Sequence, residues 1–203
     1  MTATKKKPPV AGVRSILMAG VGGQGILRAS DILCLVIMEA GLDVKKSEVH
    51  GMAQRGGCVT SHVRFGSRVY SPIERKGNVD ILLAFEKLEA LRYLDYLKPD
   101  SRIIVNDLEL YPPAVNLGAM EYPAHALGLI RGTFGTVKVV RAHELAARAG
   151  NPRVENTVLL GVLSQWLDFP VPLWEKILDR AFPPKARQAN IEAFHLGRNF
   201  EGS

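Results

Sequence analysis

Residues 14–31 read RSILMAGVGGQGILRASD, and this stretch decides how the fold begins. The apolar run Ser15–Ala19 is short and continuous, which is typical of a strand buried in a parallel sheet. The glycine segment GVGGQG, Gly20–Gly25, follows at once, and the pattern from Gly25 to Ala40 is helical. Gly41 then supplies a helix end. The stretch predicts a strand, a tight glycine loop and a helix, in that order.

The predicted helix is apolar on nearly every face. A helix with one apolar stripe packs on one layer, so this pattern predicts cover on more than one side, by the sheet and by another layer or another subunit. The apolar residues are Ile26, Leu27, Ile32, Leu33, Leu35, Val36, Ile37 and Met38.

The rest of the chain alternates between predicted strands and helices. The alternating run Cys58–Phe65, the turn Gly66-Ser67 and the segment Arg68–Ser71 predict a β-hairpin after the second strand. Pro99-Asp100 predicts a turn, and Tyr111–Pro123 has no periodicity. Further strands are expected at Asp43–Val49, Asp80–Phe85, Ser101–Asn106 and Val137–Val140, and helices at Glu86–Leu97, His143–Ala149, Val154–Leu167, Leu173–Ala181 and Lys185–Phe200.

This order predicts an α/β fold with a mixed, largely parallel sheet, helices on both faces and a helical C-terminus. We expect a flexible tail over residues 1–12 and a single domain over residues 13–203. No internal repeat or long linker interrupts the second range.

Composition places the chain among globular proteins. It has 203 residues, of which 47% are hydrophobic and 23% charged, enough for one α/β domain with a proper core. The net charge is +6, and Lys5, Lys6 and Lys7 supply half of it. Because the remaining excess forms no Lys/Arg stripe, we expect no nucleic-acid binding.

Cysteines and apolar runs bear on metal binding and compartment. Cys34 and Cys58 are the only cysteines and are far apart, so no zinc or iron–sulfur spacing exists. The N-terminus has no apolar segment of the signal-peptide type, and the run Leu33–Met38 is too short to span a bilayer. We therefore expect a cytoplasmic protein with no metal site of its own and no membrane partner.

The glycine loop satisfies the pattern G-x-G-x-x-G between a strand and a helix, which is the context of dinucleotide-binding loops. Such a site also needs an acidic residue about 20 positions later, and Glu48 after Lys45 and Lys46 is the available candidate. A hairpin in place of the next helix and parallel strand argues against this function. Gly20, Gly22, Gly23, Gln24 and Gly25 therefore either contact a phosphate or cofactor, or serve packing and an interface.

A second polar stretch is SEVHGMAQRGGCVTSHVRFG, residues 47–66. His50 is a candidate acid or base, and Arg55 beside Gln54 could clamp a carboxylate or phosphate. Gly56 and Gly57 give this loop its freedom. No set of nucleophile, base and orienting group is evident, so no catalytic residue is assigned, and Cys58 with His62 makes no dyad from sequence alone.

Taken together, these stretches resemble the gamma domain of the 2-oxoacid:ferredoxin oxidoreductases, over about Val13 to Asn199. The form EVHGMAQRGG is most similar to the small (beta) subunit of the indolepyruvate type. The stretches that carry the resemblance are GVGGQG (20–25), EVHGMAQRGG (48–57), DILLAF (80–85), ENTVLLGVL (155–163) and RQANIEAFHLGRN (187–199).

The resemblance implies a subunit that works within a complex. Thiamine diphosphate with Mg and the [4Fe–4S] clusters would belong to a large alpha subunit, coenzyme A would accept the acyl group, and ferredoxin would receive the electrons. We expect this chain alone to bind none of these cofactors, to be inactive when isolated, and to be able to form a homodimer. The alternatives are a pyruvate or 2-oxoglutarate type subunit, a stand-alone NAD(P)-binding oxidoreductase and a non-catalytic scaffold.

The resemblance also suggests where this chain meets the chemistry. We expect the Gly20–Gly25 loop and the His50–Gly57 loop to lie at the carboxyl ends of neighbouring strands, where α/β sheets present ligands. There they would face the active site of the partner or the entry path of coenzyme A.

Overall fold

In the computed structural model, which describes residues 12–51 and 57–202, six strands form one sheet. The strands are β1 (Arg14–Val21), β2 (Asp43–His50), β3 (Cys58–Gly66), β4 (Val79–Ala84), β5 (Leu97–Asn106) and β6 (Thr136–Val140). Their order across the sheet is β2-β3-β1-β4-β5-β6. β3 runs antiparallel to both of its neighbours, β1 and β2, whereas β1, β4, β5 and β6 are mutually parallel. The sheet is therefore mixed, with β3 as its reversed strand.

Helices cover both faces of this sheet. They are α1 (Ile26–Glu39), α2 (Lys87–Arg92), α3 (Pro113–Asn116), α4 (Ala126–Thr133), α5 (Ala142–Arg148), α6 (Glu155–Ser164), α7 (Val171–Ala181) and α8 (Pro184–Arg198). Short 3₁₀ turns occupy Leu94–Tyr96 and Pro152–Val154. None of the helices in the described ranges has the length and apolarity needed to cross a bilayer.

The pleat of β1 divides the core into two layers. Ile16 and Met18 belong to the larger cluster with α1, α5, α6, α7 and α8, whereas Leu17 and Ala19 belong to the smaller cluster with α2 and α4. All four side chains are fully buried or nearly so, because successive residues of a strand point to opposite faces. A continuous apolar run is thus what a strand between two helical layers requires.

The predicted α/β fold class is confirmed, and so is the expectation that α1 is covered on more than one side. α1 packs on the sheet through β2 and β3 and on the helical layer through α6 and α7. Leu35 and Met38 are the part of its apolar surface that stays exposed, at 45% and 60%.

The predicted hairpin partner is wrong. Cys58–Gly66 is a strand as expected, but it pairs with Asp43–His50, and residues 68–71 form no strand. The chain after Gly66 leaves the sheet and is held by side chains instead: the Val69 N–H donates to Asp43 Oδ2 at 2.8 Å, and Arg64 Nη1 donates to the Ser71 carbonyl at 2.9 Å.

Two further details differ from expectation. Pro99 and Asp100 lie within β5, at an irregularity where the pairing with β4 shifts between Val79 and Ile81, so they form no turn. The helix α4 was not predicted, and α3 lies inside a stretch expected to be irregular. The predicted tail, apart from Gly12, lies outside the described residues, and the single-domain assignment stays a prediction.

α6 and α8 cross at backbone distance through two glycines. A Cβ on Gly161 would lie 2.2 Å from the Phe194 carbonyl oxygen, and one on Gly197 would lie 2.0 Å from the Val158 carbonyl oxygen. Because both obstacles are backbone atoms, a side chain could be admitted only by separating the helices. These glycines fix the spacing of the C-terminal helices.

We expect Gly161→Ala to lower the free energy of unfolding by about 3 kcal/mol, since the added methyl overpacks this crossing. Gly128→Ala in α4 is the matched control, because no described atom lies within 4 Å of a Cβ there. That change should leave stability unchanged or raise it by up to about 1 kcal/mol through helix propensity. Urea unfolding followed by circular dichroism measures both, and equal stabilities would contradict the close crossing.

Candidate functional site

The glycine loop links the end of β1 to the start of α1, and geometry requires glycine at three of its positions, Gly20, Gly23 and Gly25. Gly23 and Gly25 have φ values of 100° and 78°, in the left-handed region that favours glycine. A Cβ on Gly20 would lie 2.7 Å from Phe85 Cβ. Gly22 and Gly23, at the tip, are exposed.

Gln24 closes the loop on the protein itself. Its Oε1 accepts a hydrogen bond from the Val21 N–H at 2.7 Å, and its Nε2 donates to the Phe85 carbonyl at 2.9 Å. The Gln24 N–H donates to the Val21 carbonyl at 3.2 Å, and the Gly22 N–H donates to the Gly57 carbonyl at 3.0 Å. Three loop N–H groups that could have cradled a phosphate are therefore already engaged.

The start of α6 packs directly on the loop. Asn156 Nδ2 donates to the Gly25 carbonyl at 3.3 Å, and a Cβ on Gly25 would lie 2.6 Å from the same nitrogen. The neighbouring Thr157 hydroxyl donates to Asn190 Oδ1 on α8 at 2.6 Å. The stretches GVGGQG, ENTVLLGVL and RQANIEAFHLGRN thus meet in one polar network.

A second branch of this network runs along the end of β5. Asn106 Nδ2 lies 3.3 Å from both the Phe85 carbonyl and Glu155 Oε2, and its Oδ1 accepts from the Ala142 N–H at 3.1 Å. Glu155 Oε1 lies 2.9 Å from Nδ1 of His143. Asn106 is buried and joins β5 to the helices that follow it.

Two clefts open at the edge where β1, β4 and β5 end, which we call the carboxyl edge. The glycine-loop cleft has a volume of about 460 Å³ and is lined by Gly23, Gln24, Phe85, Asn106, Arg153 and Glu155, among others. The α2 cleft has a volume of about 370 Å³ and is lined by Val21, Cys58, Glu86, Glu89, Arg92 and Tyr111, among others. Leu110 lines both, so the clefts adjoin.

The predicted site residues are only partly within the described ranges. Gly20, Gly22, Gly23, Gln24 and Gly25 form the loop just described. His50 ends β2, and Gly57 reaches the glycine loop through its carbonyl. Gln54, Arg55 and Gly56 lie outside the described residues.

The expectation that the two loops follow neighbouring strands needs a correction. β3 lies between β1 and β2. The described ends of the second loop nevertheless lie near the glycine loop, because β3 begins at this edge. Cys58 pairs with Val21, and the Gly51 N–H donates to the Cys58 carbonyl at 2.7 Å. Whether these residues bind a ligand stays a prediction.

The candidate ribose acid of a dinucleotide site is engaged elsewhere. Glu48 Oε1 lies 2.5 Å from Nζ of Lys46, which also pairs with Asp31. β2, which carries Glu48, is separated from β1 by β3, so it is not the adjacent second strand that a dinucleotide fold uses. The structure therefore disfavours the dinucleotide function.

Cys58 and His62 do not form a dyad. They are four positions apart on β3, a separation of about 13 Å along a strand. Cys58 Sγ lies 3.0 Å from Oη of Tyr93, and burial raises the pKa of this thiol to about 11. His62 packs against the Tyr96 ring, and burial lowers its pKa.

The cysteines of this chain do not suit an iron–sulfur cluster. A [4Fe–4S] cluster takes four thiolates, whereas the sequence contains two cysteines. Cys34 lies on α1 and Cys58 at the start of β3, and burial raises both thiol pKa values to about 11. Within residues 12–51 and 57–202, no three or more His, Cys, Asp or Glu side chains gather to hold a metal.

The mixed sheet, its glycine loop and the polar network define a class of protein. Residues 15–200 match the family described as pyruvate ferredoxin/flavodoxin oxidoreductase, and the chain belongs to this family. The predicted family is thereby confirmed.

Within this family the chain is similar to indolepyruvate oxidoreductase subunit IorB. It is 39% identical to IorB of Pyrococcus horikoshii over 188 residues, which cover 90% of this chain and 93% of that protein. It is 36% identical to IorB of Archaeoglobus fulgidus over 189 residues, which cover 91% and 94%. The 2-oxoglutarate synthase subunit KorC of Methanothermobacter thermautotrophicus is 28% identical over 203 residues, covering 94% and 97%.

Solved structures share the fold. Pyruvate oxidoreductase subunit PORC of Thermotoga maritima superposes with a TM-score of 0.71 at 23% identity, covering 92% of this chain and 96% of that chain. The 2-oxoglutarate:ferredoxin oxidoreductase of Magnetococcus marinus gives 0.72 at 21% identity, covering 95% of this chain but 32% of that chain.

Sequence reasoning missed Asn106, Glu155 and Asn156 as parts of the site. Asn106 ends a predicted strand and Glu155 begins a predicted helix, so both occupy positions where α/β proteins place functional groups. Their polarity beside apolar runs was the available signal. Their meeting at the glycine loop required the tertiary structure.

The contact between Gly25 and Asn156 generates a prediction. We expect Gly25→Ala to destabilise the protein more than Gly23→Ala, because both residues have positive φ but no described atom lies within 4 Å of a Cβ on Gly23. Gly23→Ala should cost about 1 kcal/mol of backbone strain, and Gly25→Ala about 2 kcal/mol more through overpacking.

A double-variant cycle separates strain from steric conflict. Adding Asn156→Ala should recover part of the cost of Gly25→Ala, since it removes the obstructing amide, but should leave the cost of Gly23→Ala unchanged. Chemical denaturation of the wild type, the three single variants and the two double variants measures this coupling. Additive costs for Gly25→Ala and Asn156→Ala would show that the contact does not constrain the loop.

Proposed function

We propose that this chain is the small (beta) subunit of an indolepyruvate-type 2-oxoacid:ferredoxin oxidoreductase. The complex would convert an aryl pyruvate and coenzyme A into an acyl-CoA and CO₂, and would pass the two electrons released to ferredoxin. The observation that carries the proposal is the similarity to IorB along nine-tenths of both chains. The more distant similarity to KorC makes a 2-oxoglutarate type subunit the alternative.

In this proposal the redox cofactors belong to a large alpha subunit. That subunit would hold thiamine diphosphate, Mg and the [4Fe–4S] clusters, and coenzyme A would enter between the two chains. Two protonated, separated cysteines support this division of labour, because this chain cannot itself ligate a four-iron cluster. The isolated chain would bind none of these cofactors and would be inactive, alone or as a homodimer.

The carboxyl edge is the part of this chain that we place against the partner. The exposed tip Gly22-Gly23 lies there beside Gly57, whose carbonyl accepts from the Gly22 N–H. Arg153 lines the glycine-loop cleft and would supply positive charge for an anionic group such as a coenzyme A phosphate. This chain would shape the entry path, and the reacting carbons would lie in the partner.

Co-expression with the large subunit of the same organism tests this function. We expect the purified complex, given coenzyme A, to reduce methyl viologen with indolepyruvate as substrate, and each subunit alone to be inactive. Pyruvate and 2-oxoglutarate are the comparison substrates. Faster turnover of 2-oxoglutarate would favour the alternative, faster turnover of pyruvate would indicate a pyruvate type subunit, and full activity of the large subunit alone would refute the assignment.

Arg55 is the residue we expect to matter most in the His50–Gly57 loop. Arg55→Ala should lower the turnover of the assembled complex on the order of tenfold, equal to about 1.4 kcal/mol, because a guanidinium that holds an anion would be lost. Arg148→Ala, an exposed arginine on α5, is the control and should leave turnover unchanged. Full activity of the Arg55 variant in a normally assembled complex would contradict this role.

A further inference from the structure

The α2 cleft contains a buried carboxylate with an unused oxygen. Glu89 is 3% exposed, and its Oε1 pairs with Arg92 Nη1 at 3.0 Å. Its other oxygen, Oε2, is buried and has no N–H or O–H donor among the described residues. A buried ionised oxygen without a donor costs free energy, so this oxygen marks a place where a donor is missing.

The neighbouring carboxylate shows what a satisfied group looks like at this cleft. Glu86 is fully buried, and its Oε1 accepts the backbone N–H of Glu89 at the start of α2. Its Oε2 accepts from the Tyr122 hydroxyl at 3.1 Å. Both oxygens of Glu86 thus accept hydrogen bonds within the chain, whereas Oε2 of Glu89 lacks an N–H or O–H donor.

Nearby groups supply only a weak donor to the Glu89 carboxylate. The Cys58 thiol contacts both the Glu89 carboxylate and the Tyr93 hydroxyl. Burial and then the hydrogen bond to Glu89 raise the pKa of this thiol, but a thiol is a weak donor and does not replace an N–H or O–H group. Arg92 pairs with Oε1, and its side chain is 45% exposed.

The charge around the cleft is negative. Glu86 and Glu89 lie in it with Arg92, and the adjoining segment carries Asp107 and Glu109, which both pair with Lys87. These six groups comprise four carboxylates and two cations in a protein whose formal net charge is +6. A cationic donor therefore suits Oε2 of Glu89 better than a neutral or anionic one.

Exposed apolar side chains on one segment continue from the cleft. Tyr111, which lines the cleft, is 53% exposed, and Leu117 and Met120 further along the segment are 83% and 58% exposed. A free amine or metal ion would leave this apolar surface in water. A protein surface that carries a basic side chain would cover it.

We propose that the α2 cleft receives a lysine or arginine side chain of the large subunit, which donates to Oε2 of Glu89 while the surrounding surface covers Tyr111, Leu117 and Met120. The proposal rests on the proposed function for its partner. The contact is an anchor of the kind found at the centre of interfaces, where a desolvated charge meets its complement.

The test compares Glu89→Gln with the wild-type chain in two assays. In the complex with the co-expressed large subunit, the variant should bind on the order of tenfold or more weakly, because an amide replaces the charge that faces the partner cation. Its affinity should also depend less on salt. Biolayer interferometry over a salt series measures both, and Glu192→Gln, at an exposed carboxylate on α8, is the matched control.

The second assay separates a binding role from a structural one. In the isolated chain Glu89→Gln should raise the melting temperature, since a neutral amide is cheaper to bury than a carboxylate with an unpaired oxygen and its carbonyl can still accept from Arg92. Higher stability combined with weaker association supports the proposal. Lower stability with unchanged association would show a purely structural role and overturn it.

The remaining outcomes are also decisive. Equal affinities of the wild-type and Glu89→Gln chains would overturn the anchor while leaving the proposed function intact. If the wild-type chain did not bind the large subunit at all, both the proposed function and the partner of this cleft would be wrong. Tight binding of n-butylguanidinium to the isolated wild-type chain would instead identify the cleft as a small-molecule site and overturn the protein partner.

Discussion

The contact between Asn156 and the backbone of Gly25 is the constraint on which the arrangement of this protein depends. Gly25 has a left-handed backbone at the start of α1, and the Asn156 amide occupies the space where a side chain would stand. Because α6 carries Asn156 and is fixed to α8 through Thr157 and Asn190, the contact sets three helices relative to the end of β1. The position of the whole carboxyl edge follows from this junction.

The same junction explains why the loop has the glycine pattern of a nucleotide-binding site although the adjacent second strand and its acidic residue are not placed as in such a site. Glycines are needed wherever another group approaches a backbone closely, and that group can be a pyrophosphate or a side chain of the protein itself. Here two side chains of the protein approach the loop backbone: Gln24 Oε1 accepts from the Val21 N–H, and Asn156 Nδ2 donates to the Gly25 carbonyl. A glycine fingerprint therefore indicates that some group lies close to the loop backbone. The helices and strands beside the loop determine which group that is.

The sequence predicted the positions of helices and strands better than it predicted which strands pair. Short apolar runs identified β1, β4 and β5, and the all-round apolarity of α1 correctly indicated cover on two sides. The pairing of β3 with β2 was missed because Gly66-Ser67 has the composition of a hairpin turn, although the following chain is held by Asp43 and Arg64 instead. The polar network was beyond prediction, since Gln24, Asn106 and Asn156 come together from distant parts of the chain.

The two clefts at the carboxyl edge have different physical characters, although they share Leu110. Beside the glycine loop, Gln24 and Asn106 both donate to the Phe85 carbonyl, and Asn106 also donates to Glu155, so these polar groups have partners within the chain. Beside α2, Glu89 keeps an unsatisfied oxygen, which lowers the stability of the free chain and gains specificity only when a complementary charge arrives. A subunit that works inside a complex can tolerate this loss of stability in the free chain, because it functions in the assembled state. We infer that the carboxyl edge combines one cleft whose polar groups are already paired with a second cleft whose carboxylate lacks a strong donor. The large subunit would supply that donor.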